Sequence, residues 1–342
     1  MEIFMKKVMA VYDTDPFYAE RLSDYVNRKE KGIFAAQAFT SQERLKAYAQ
    51  EHEIDVLLTG ERTDAEGMPE ISSGKTIFLS EEPKKGEETG QEIYKYQSGD
   101  DIIREVMAVY CEIPGAKPGF TGITDKTKRI IGVYSPLGRC GKTCLALAIG
   151  QILAKEEKVL FISLDTFTGF AQLFNERWKR DLSDLLYYYK QGRFNVIRLN
   201  SIVYYLGDLA WLPPIRFPED YGAVSVEEMA ELIKEILAVG NYSTVVLDIG
   251  DYGRQVLPLL EVCQVVYMPI REDTISQAKT KEFEEYLEEN ERNGIKEKLQ
   301  KMHVPMVTGG KRMEHFPQEL LWGDMGDFVR GLLKGQRDLW DN

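Results

Sequence analysis

A short segment near the middle of the chain combines residue types that together bind phosphate. It reads Gly138-Arg139-Cys140-Gly141-Lys142-Thr143, after a β-branched run and before an apolar, Ala-rich stretch. Glycines let such a loop curl until successive N–H groups point into one hollow, and the following helix directs its positive end there. The pattern therefore predicts a nucleotide-binding loop between a strand and a helix.

The side chains of this loop suggest separate roles. We expect the Lys142 ammonium to reach the β- and γ-phosphates and the Thr143 hydroxyl to hold Mg²⁺. The standard pattern is G-x-x-x-x-G-K-[ST], and Pro136 stands here in place of its first glycine. A glycine turn with a chance Gly-Lys-Thr is the alternative. The residues predicted to contact the nucleotide are Gly138, Arg139, Cys140, Gly141, Lys142, Thr143 and Cys144.

Three aspartates follow apolar runs and are candidates for the same site. Asp248 ends the run STVVLD and is predicted to hold Mg²⁺ directly or through water. Asp165 follows KVLFISL, and because the carboxyl ends of strands line the ligand crevice, we predict that it orients the attacking water. Asp165 and Lys142 are thus the predicted catalytic residues. Asp251 is predicted to sense the γ-phosphate. Ordinary turn aspartates are the alternative for each.

The elements that must position these residues fall into two α/β domains. Residues 1–112 alternate five short apolar strands with helices, which favours a small parallel sheet. Residues 113–129 hold two prolines and three glycines and are predicted to be a linker. Residues 130–342 form the second predicted domain. The charged stretch Ser80–Gln91 is expected to be an exposed loop.

The second domain is predicted from five strong apolar runs and a weaker one near Leu299–Val304. A helix over Ser225–Ala238 has a capping box at its start and one apolar stripe. Arg271 and Glu272 come just after one of the strands and are candidates for contacts with the base. The five strong strands are Ile130–Ser135, Lys158–Leu164, Asp208–Leu212, Thr244–Ile249 and Gln264–Pro269.

Composition limits the classes of function. The formal net charge is −12, of which residues 1–112 carry −9, and an acidic surface disfavours general nucleic-acid binding. No run of 18 apolar residues predicts a membrane span, and the first residues lack the apolar core of a signal peptide, so a cytoplasmic protein is expected. The four scattered cysteines are expected to be reduced and packed rather than metal ligands.

The order of GRCGKT, KVLFISLD, VVLDIGDYG and VVYMPIREDTIS resembles the MinD/ParA family of P-loop ATPases from about residue 130 onward. The acidic domain in front is similar to a response-regulator receiver, which is flavodoxin-like. Together with DLAWLPPIRFPEDY, the pairing most resembles TadZ/CpaE-type proteins of Flp pilus assembly. The resemblance implies an α/β receiver-like domain, a P-loop NTPase domain, ATP and Mg²⁺ as cofactors, and a homodimeric switch. It also implies pilus assembly or polar-localisation partners, and a cytoplasmic location, polar or peripheral to the inner membrane.

Departures from the family pattern affect the expected rate. The family loop commonly reads KGGVGKT, with a lysine that reaches across an ATP-bridged dimer, and the aligned residue here is Leu137. Arg139 replaces the second glycine, and we consider it as a substitute cation. The family also has Asp where Ser163 stands. We therefore expect slow or degenerate hydrolysis, with binding through Lys142 retained.

The receiver-like domain departs from its family as well. Asp13 and Asp15 remain after the first strand, but the acceptor position is Thr59 or Gly60, and neither offers the carboxylate that aspartyl phosphorylation requires. The lysine that receivers carry after the fifth strand is not recognised in YKYQSGDD. We therefore interpret this domain as a docking or dimerising module without phosphotransfer.

Three alternatives remain beside the pilus switch. A ParA-type DNA-partitioning ATPase would need a basic face, which the near-neutral second domain disfavours. A MinD-type membrane-positioning ATPase would use the apolar stripe of the last helix, which we expect to pack on the protein's own core. A catalytically inactive scaffold is the third. A GTPase is disfavoured because no N-K-x-D segment follows the loop. The stripe consists of Met325, Phe328, Val329, Leu332 and Leu333.

Overall fold

A computed structural model describes residues 6–28, 33–60, 74–83, 92–112, 128–250, 256–307 and 313–340. These residues form two compact units. The first contains the described residues up to 112 together with Asn195–Ser201, and the second contains the others from 128 onward. The predicted boundaries at 112 and 130 stay a prediction.

The first unit is a five-stranded parallel sheet with the order β2-β1-β3-β4-β5. This is the flavodoxin-like order, so the predicted fold class is confirmed for this unit. It contains the five strands alternating with helices that the sequence predicts for residues 1–112. The elements are β1 (Lys7–Tyr12), α1 (Pro16–Arg28), β2 (Phe34–Phe39), α2 (Gln42–Glu51), β3 (Val56–Thr59), β4 (Lys75–Ser80), β5 (Glu92–Tyr94) and α3 (Gly99–Tyr110).

One expectation about the first unit, the missing lysine after the fifth strand, is corrected at the carboxyl ends of its strands. Lys95 directly follows β5 and is buried, and its Nζ lies 2.8 Å from Oδ2 of Asp13, which follows β1. Burial opposes the charge of Lys95, but the Asp13 carboxylate outweighs burial and holds the pKa of Lys95 above its usual value. A lysine therefore does follow the fifth strand, and the failure to recognise it in YKYQSGDD is corrected by its pairing with Asp13. Thr59 at the end of β3 is fully buried.

The second unit carries a seven-stranded sheet with the order β12-β11-β6-β10-β7-β9-β8, in which only β8 is antiparallel to its neighbour. The elements from residue 129 onward are given next in chain order, and one of them, α7 (Val196–Asn200), belongs to the first unit. They are β6 (Arg129–Val133), α4 (Lys142–Leu153), β7 (Val159–Ser163), α5 (Phe170–Leu173), α6 (Leu182–Lys190), α7 (Val196–Asn200), β8 (Tyr204–Leu206), β9 (Leu209–Leu212), α8 (Val226–Val239), β10 (Thr244–Asp248), α9 (Leu257–Val262), β11 (Val265–Pro269), α10 (Thr274–Glu289), α11 (Asn293–Lys298), β12 (Leu299–Met302), α12 (Phe316–Trp322) and α13 (Asp324–Trp340).

Burial explains why the strands of this unit could be predicted from the sequence. Every residue of β7, β9, β10 and β11 is buried, as expected for parallel strands covered by helices on both faces. The six strands predicted here are all present, and β8 is an additional edge strand. The fold class is thus confirmed as α/β, with a parallel first sheet and a mixed second one.

The helices that hold the sheet also follow their sequence signals. The capping box of α8 forms as predicted, because Ser225 Oγ accepts from the Glu228 amide and the Glu228 carboxylate accepts from the Ser225 amide. The apolar stripe of α13 packs on the core, with Met325, Val329 and Leu333 buried. The membrane alternative thus loses its main support. Within the described ranges, no helix is long and apolar enough to cross a bilayer.

The Lys95–Asp13 pair gives a stability prediction. Replacing Lys95 by Met leaves the buried Asp13 carboxylate without its cation, and we expect a loss of about 3 kcal/mol of unfolding free energy. Hydrogen exchange of the full chain should show faster exchange in β1 and β3 and unchanged exchange in β6 and β10. The matched control is Lys7→Met, because Lys7 pairs with Asp55 at 3.0 Å while its side chain stays 36% exposed. Equal losses in the two variants would contradict the prediction.

Candidate nucleotide site

The backbone of the loop between β6 and α4 turns the first amides of α4 toward one place. Gly141 immediately precedes α4 with φ +91°, a left-handed conformation that favours glycine. A Cβ atom there would lie 3.0 Å from Cγ2 of Val304. Because the first N–H groups of a helix have no carbonyl partner within it, the amides at the start of α4 are available to an anion.

The Lys142 side chain folds over its own loop. Its Nζ donates to the carbonyl oxygens of Leu137 at 2.9 Å and Ser135 at 3.3 Å, while the Leu137 amide donates to Ser135 Oγ. These contacts hold the ammonium beside the loop. A phosphate oxygen would compete with the two carbonyls for the same three N–H donors, and a charge-assisted bond is the stronger kind.

Asp248 lies at the tip of β10, between two parallel neighbours. It is in register with Val133 of β6 and with Ser163 of β7, and Ser163 Oγ donates to its Oδ2 at 2.8 Å. The carboxyl is almost fully buried. Burial raises the pKa of Asp248 to about 6, and the hydroxyls of Ser163 and Thr143 oppose that rise.

The surroundings of Asp248 fit a divalent cation. Its Oδ1 is buried and receives no hydrogen bond from the described residues, and the Thr143 hydroxyl is near enough to affect its pKa. Oxygen ligands suit Mg²⁺, which commonly keeps waters and takes one or two carboxylates with substrate phosphates. Within the described part of the chain, no three His, Cys, Asp or Glu side chains could hold a metal by themselves. Thr143 and Asp248 would thus hold Mg²⁺ together with phosphate.

Asp165 is half-buried just beyond β7 and borders the same space. Its Oδ1 accepts from the Thr166 amide at 2.8 Å, and its charge contributes to the raised pKa of Asp248. The chain after β10 passes close by, since a Cβ on Gly250 would lie 2.6 Å from Cα of Asp165. Glycine at position 250 therefore lets the two strand ends approach. Asp251 lies outside the described residues, and its predicted role stays a prediction.

A cleft of about 510 Å³ opens over the loop. The predicted residues Arg139 to Cys144 line one side of it and Asp165 another. Arg271 lines it as well, whereas Glu272 is not part of its wall. Sequence reasoning missed the remaining wall, which follows the ends of β11 and β12 and consists of Ile270, Val304, Pro305, Met306 and Val307. Their position directly after predicted strands was the signal available in the sequence.

The two cysteines of the loop differ in what they contact. Cys140 is buried and its thiol donates to the Leu137 carbonyl, so only its backbone can face a ligand. Burial and, secondly, the charge of Asp248 raise the pKa of Cys144 to about 11. All four cysteines are free, and three of them are buried.

Three residues at the start of the loop differ in exposure. Leu137, at the position of the family's signature lysine, is 3% exposed and packs inward. Gly138 and Arg139 are exposed, and only Arg139 reaches the cleft wall. Arg139 has φ +54°, which is uncommon for a residue with a side chain. The structure thus brings Arg139, Lys142, Thr143, Asp165 and Asp248 together, while their roles in binding stay predictions.

Comparison with solved structures adds a likeness of fold. A ParA family ATPase from Chlorobium tepidum superposes with a TM-score of 0.49 at 16% identity, covering 59% of this chain and 96% of that one. A putative plasmid partition protein from Borrelia burgdorferi bound to AMPPNP gives 0.41 at 16%, covering 60% and 89%. The MinD cell division protein of Aquifex aeolicus gives 0.41 at 19%, covering 59% and 78%. No protein-family model and no curated protein matches the sequence. At these scores the superpositions carry no functional argument.

The left-handed glycine gives a test of loop geometry. A left-handed backbone conformation costs an alanine roughly 1 kcal/mol. Gly141→Ala should lower the unfolding free energy by more than this, because the added methyl would also contact Val304 too closely. Gly207→Ala is the matched control, with φ +61° and no atom within 4 Å of the added Cβ. Urea unfolding of both variants measures the difference. An equal cost would show that the Val304 contact imposes no constraint.

The buried carboxyl gives a pH prediction. Because the pKa of Asp248 is about 6 in the folded chain against 3.8 for an ordinary Asp, the folded state binds the proton more tightly between these values. The contribution of Asp248 to the free energy of unfolding therefore falls by about 3 kcal/mol as pH rises from about 4 to 6. Above pH 6 this contribution no longer changes. Asp248→Asn should remove this component. The difference between the wild-type and variant unfolding curves, measured from pH 4.5 to 8, should slope below pH 6, and a flat difference would contradict the assignment.

Proposed function

We propose that this chain is an ATP-binding switch protein that works as a homodimer and hydrolyses ATP slowly. One observation carries the proposal: Lys142 and Thr143 begin α4 and line one cleft with Asp165, and the buried, partly unbonded carboxyl of Asp248 lies beside Thr143. This arrangement can bind a triphosphate with Mg²⁺. It combines the loop before α4, the Lys142 ammonium, the Thr143 hydroxyl and the buried Asp248 carboxylate.

Each residue then has a definite task. The amides at the start of α4 hold phosphate oxygens, and Lys142 leaves its two carbonyl partners to contact the β- and γ-phosphates. Thr143 and Asp248 hold Mg²⁺, which neutralises phosphate charge when it is bound. Asp165 is the carboxylate on the cleft wall that can accept a proton from, or orient, the attacking water.

The side chains around the loop support slow turnover. Leu137 is buried and apolar, so it supplies no charge to its own phosphate or to that of a second copy. Ser163, in the place of the family's aspartate, uses its hydroxyl on Asp248. One carboxylate oxygen of Asp165 already accepts a hydrogen bond from the Thr166 amide, so only its other oxygen remains to contact water. With few groups left to stabilise the transition state, binding is favoured over turnover.

The finer proposal is a TadZ/CpaE-type role in Flp pilus assembly or in polar localisation of that machinery. It is supported by the pairing of a receiver-like sheet with a phosphate-loop unit in one chain. We propose that the receiver-like unit docks partners or a second copy, and that the protein acts in the cytoplasm, at a pole or on the inner membrane's surface. The buried α13 stripe weighs against membrane binding through that helix.

The test is calorimetry with Mg²⁺ and ATP on the full chain. Wild type should bind, and Lys142→Ala should lose at least about tenfold in affinity, as expected for one charge-assisted contact with phosphate. Lys234→Ala is the control, because Lys234 is an exposed residue of α8 that pairs with Glu231. Sedimentation should show more dimer when a non-hydrolysable ATP analogue is present.

Two outcomes separate the parts of the proposal. If wild type takes up no ATP with Mg²⁺ and Lys142→Ala changes nothing, the nucleotide function fails and an inactive scaffold remains. In cells that lack this chain, wild type should restore surface pili or their polar placement and Lys142→Ala should not. Normal pili without the chain would contradict the pilus role alone.

A further inference from the structure

Arg139 occupies a backbone conformation that a side chain makes unfavourable. The described chain has three non-glycine residues with positive φ, namely Arg139 at 54°, Asn175 at 49° and Glu291 at 55°. Asparagine tolerates this region through its short polar side chain, whereas arginine has no such local compensation. Glycine would occupy position 139 at lower cost, so the backbone conformation gives no reason for an arginine there.

The surroundings of Arg139 give it no structural task. Its neighbour Cys140 is buried and Lys142 bonds to loop carbonyls, but Arg139 is exposed and makes no hydrogen bond or ion pair with another described residue. It nevertheless borders the cleft that contains Lys142, Thr143 and Asp165. A long cation is thus kept at the rim of a phosphate-binding space with its donors available.

We infer that Arg139 contacts the terminal phosphate of the bound nucleotide and makes the cleft prefer a nucleoside triphosphate to a diphosphate. The inference rests on the proposed function. Arg139 and Lys142 are the two cations within the loop, and Lys142 lies at the start of α4, where it serves the inner phosphates as well. Arg139 stands three residues earlier and lines the same cleft from an exposed position, so we assign to it the phosphate that only the triphosphate has. Its planar fork can hold two phosphate oxygens at once.

The consequence for binding is a selective one. Loss of the Arg139 side chain removes a contact that only the triphosphate makes, so diphosphate affinity stays the same. Loss of Lys142 weakens both nucleotides. A residue that acts only on loop shape would change the two affinities in parallel.

The experiment compares Mg²⁺-loaded AMPPNP and ADP on the full chain by calorimetry. Arg139→Gly should keep its ADP affinity and lose about tenfold or more in AMPPNP affinity, the size of one charge-assisted contact. Arg139→Lys should retain part of the preference, because it keeps the charge and loses the fork. Glu291→Gly is the matched control, since it relieves a left-handed residue just after α10 and should leave both affinities unchanged.

The outcomes distinguish the inference from the function beneath it. An unchanged AMPPNP-to-ADP affinity ratio in Arg139→Gly, with tight binding by wild type, overturns the inference and leaves the proposed function intact. A parallel loss for both nucleotides also overturns it, because that result indicates a role in loop shape. If wild type binds neither nucleotide, the proposed function itself fails. Thermal unfolding of Arg139→Gly at or above the wild-type midpoint would verify that the variant is folded.

Discussion

The chemistry of the candidate site depends on a carboxylate that is kept away from water at the tip of a central strand. Asp248 is fixed between β6 and β7 by parallel register, and the fold cannot expose it without breaking the middle of the sheet. A buried charge is costly unless a partner compensates for it. The hydroxyls of Ser163 and Thr143 compensate in part, and a divalent cation would supply the remainder. Cation and nucleotide are therefore expected to bind as one unit.

The same burial explains how much of the second unit could be predicted. Strands such as Thr244–Asp248 are buried on both faces and have an apolar middle, so their ends were predicted to within two residues. The loop residues were found because their chemistry is encoded within a few positions. β8 was missed because three residues on an edge carry almost no pattern. The cleft wall at 304–307 was missed because its place beside the loop depends on strand order, which no local stretch encodes.

In the first unit, too, a contact that depends on strand order could not be predicted from local sequence. Lys95 stands between two tyrosines in the sequence and looks like an ordinary exposed lysine. Only the order β1-β3-β4-β5 brings it to Asp13, more than eighty positions earlier in the chain. The interpretation as a docking module without phosphotransfer stays a prediction, based on Thr59 at the end of β3, whose hydroxyl is not the carboxylate that aspartyl phosphorylation requires.

The helix that begins at the phosphate loop is also the one on which the last helices of the chain rest. α4 is buried along most of its length and packs against α12 and α13. A tightly packed rod of this kind moves as a whole, because dense interiors transmit displacement rather than absorb it. A displacement of the loop backbone would therefore reach α12 and α13 through α4, because these helices pack directly on it.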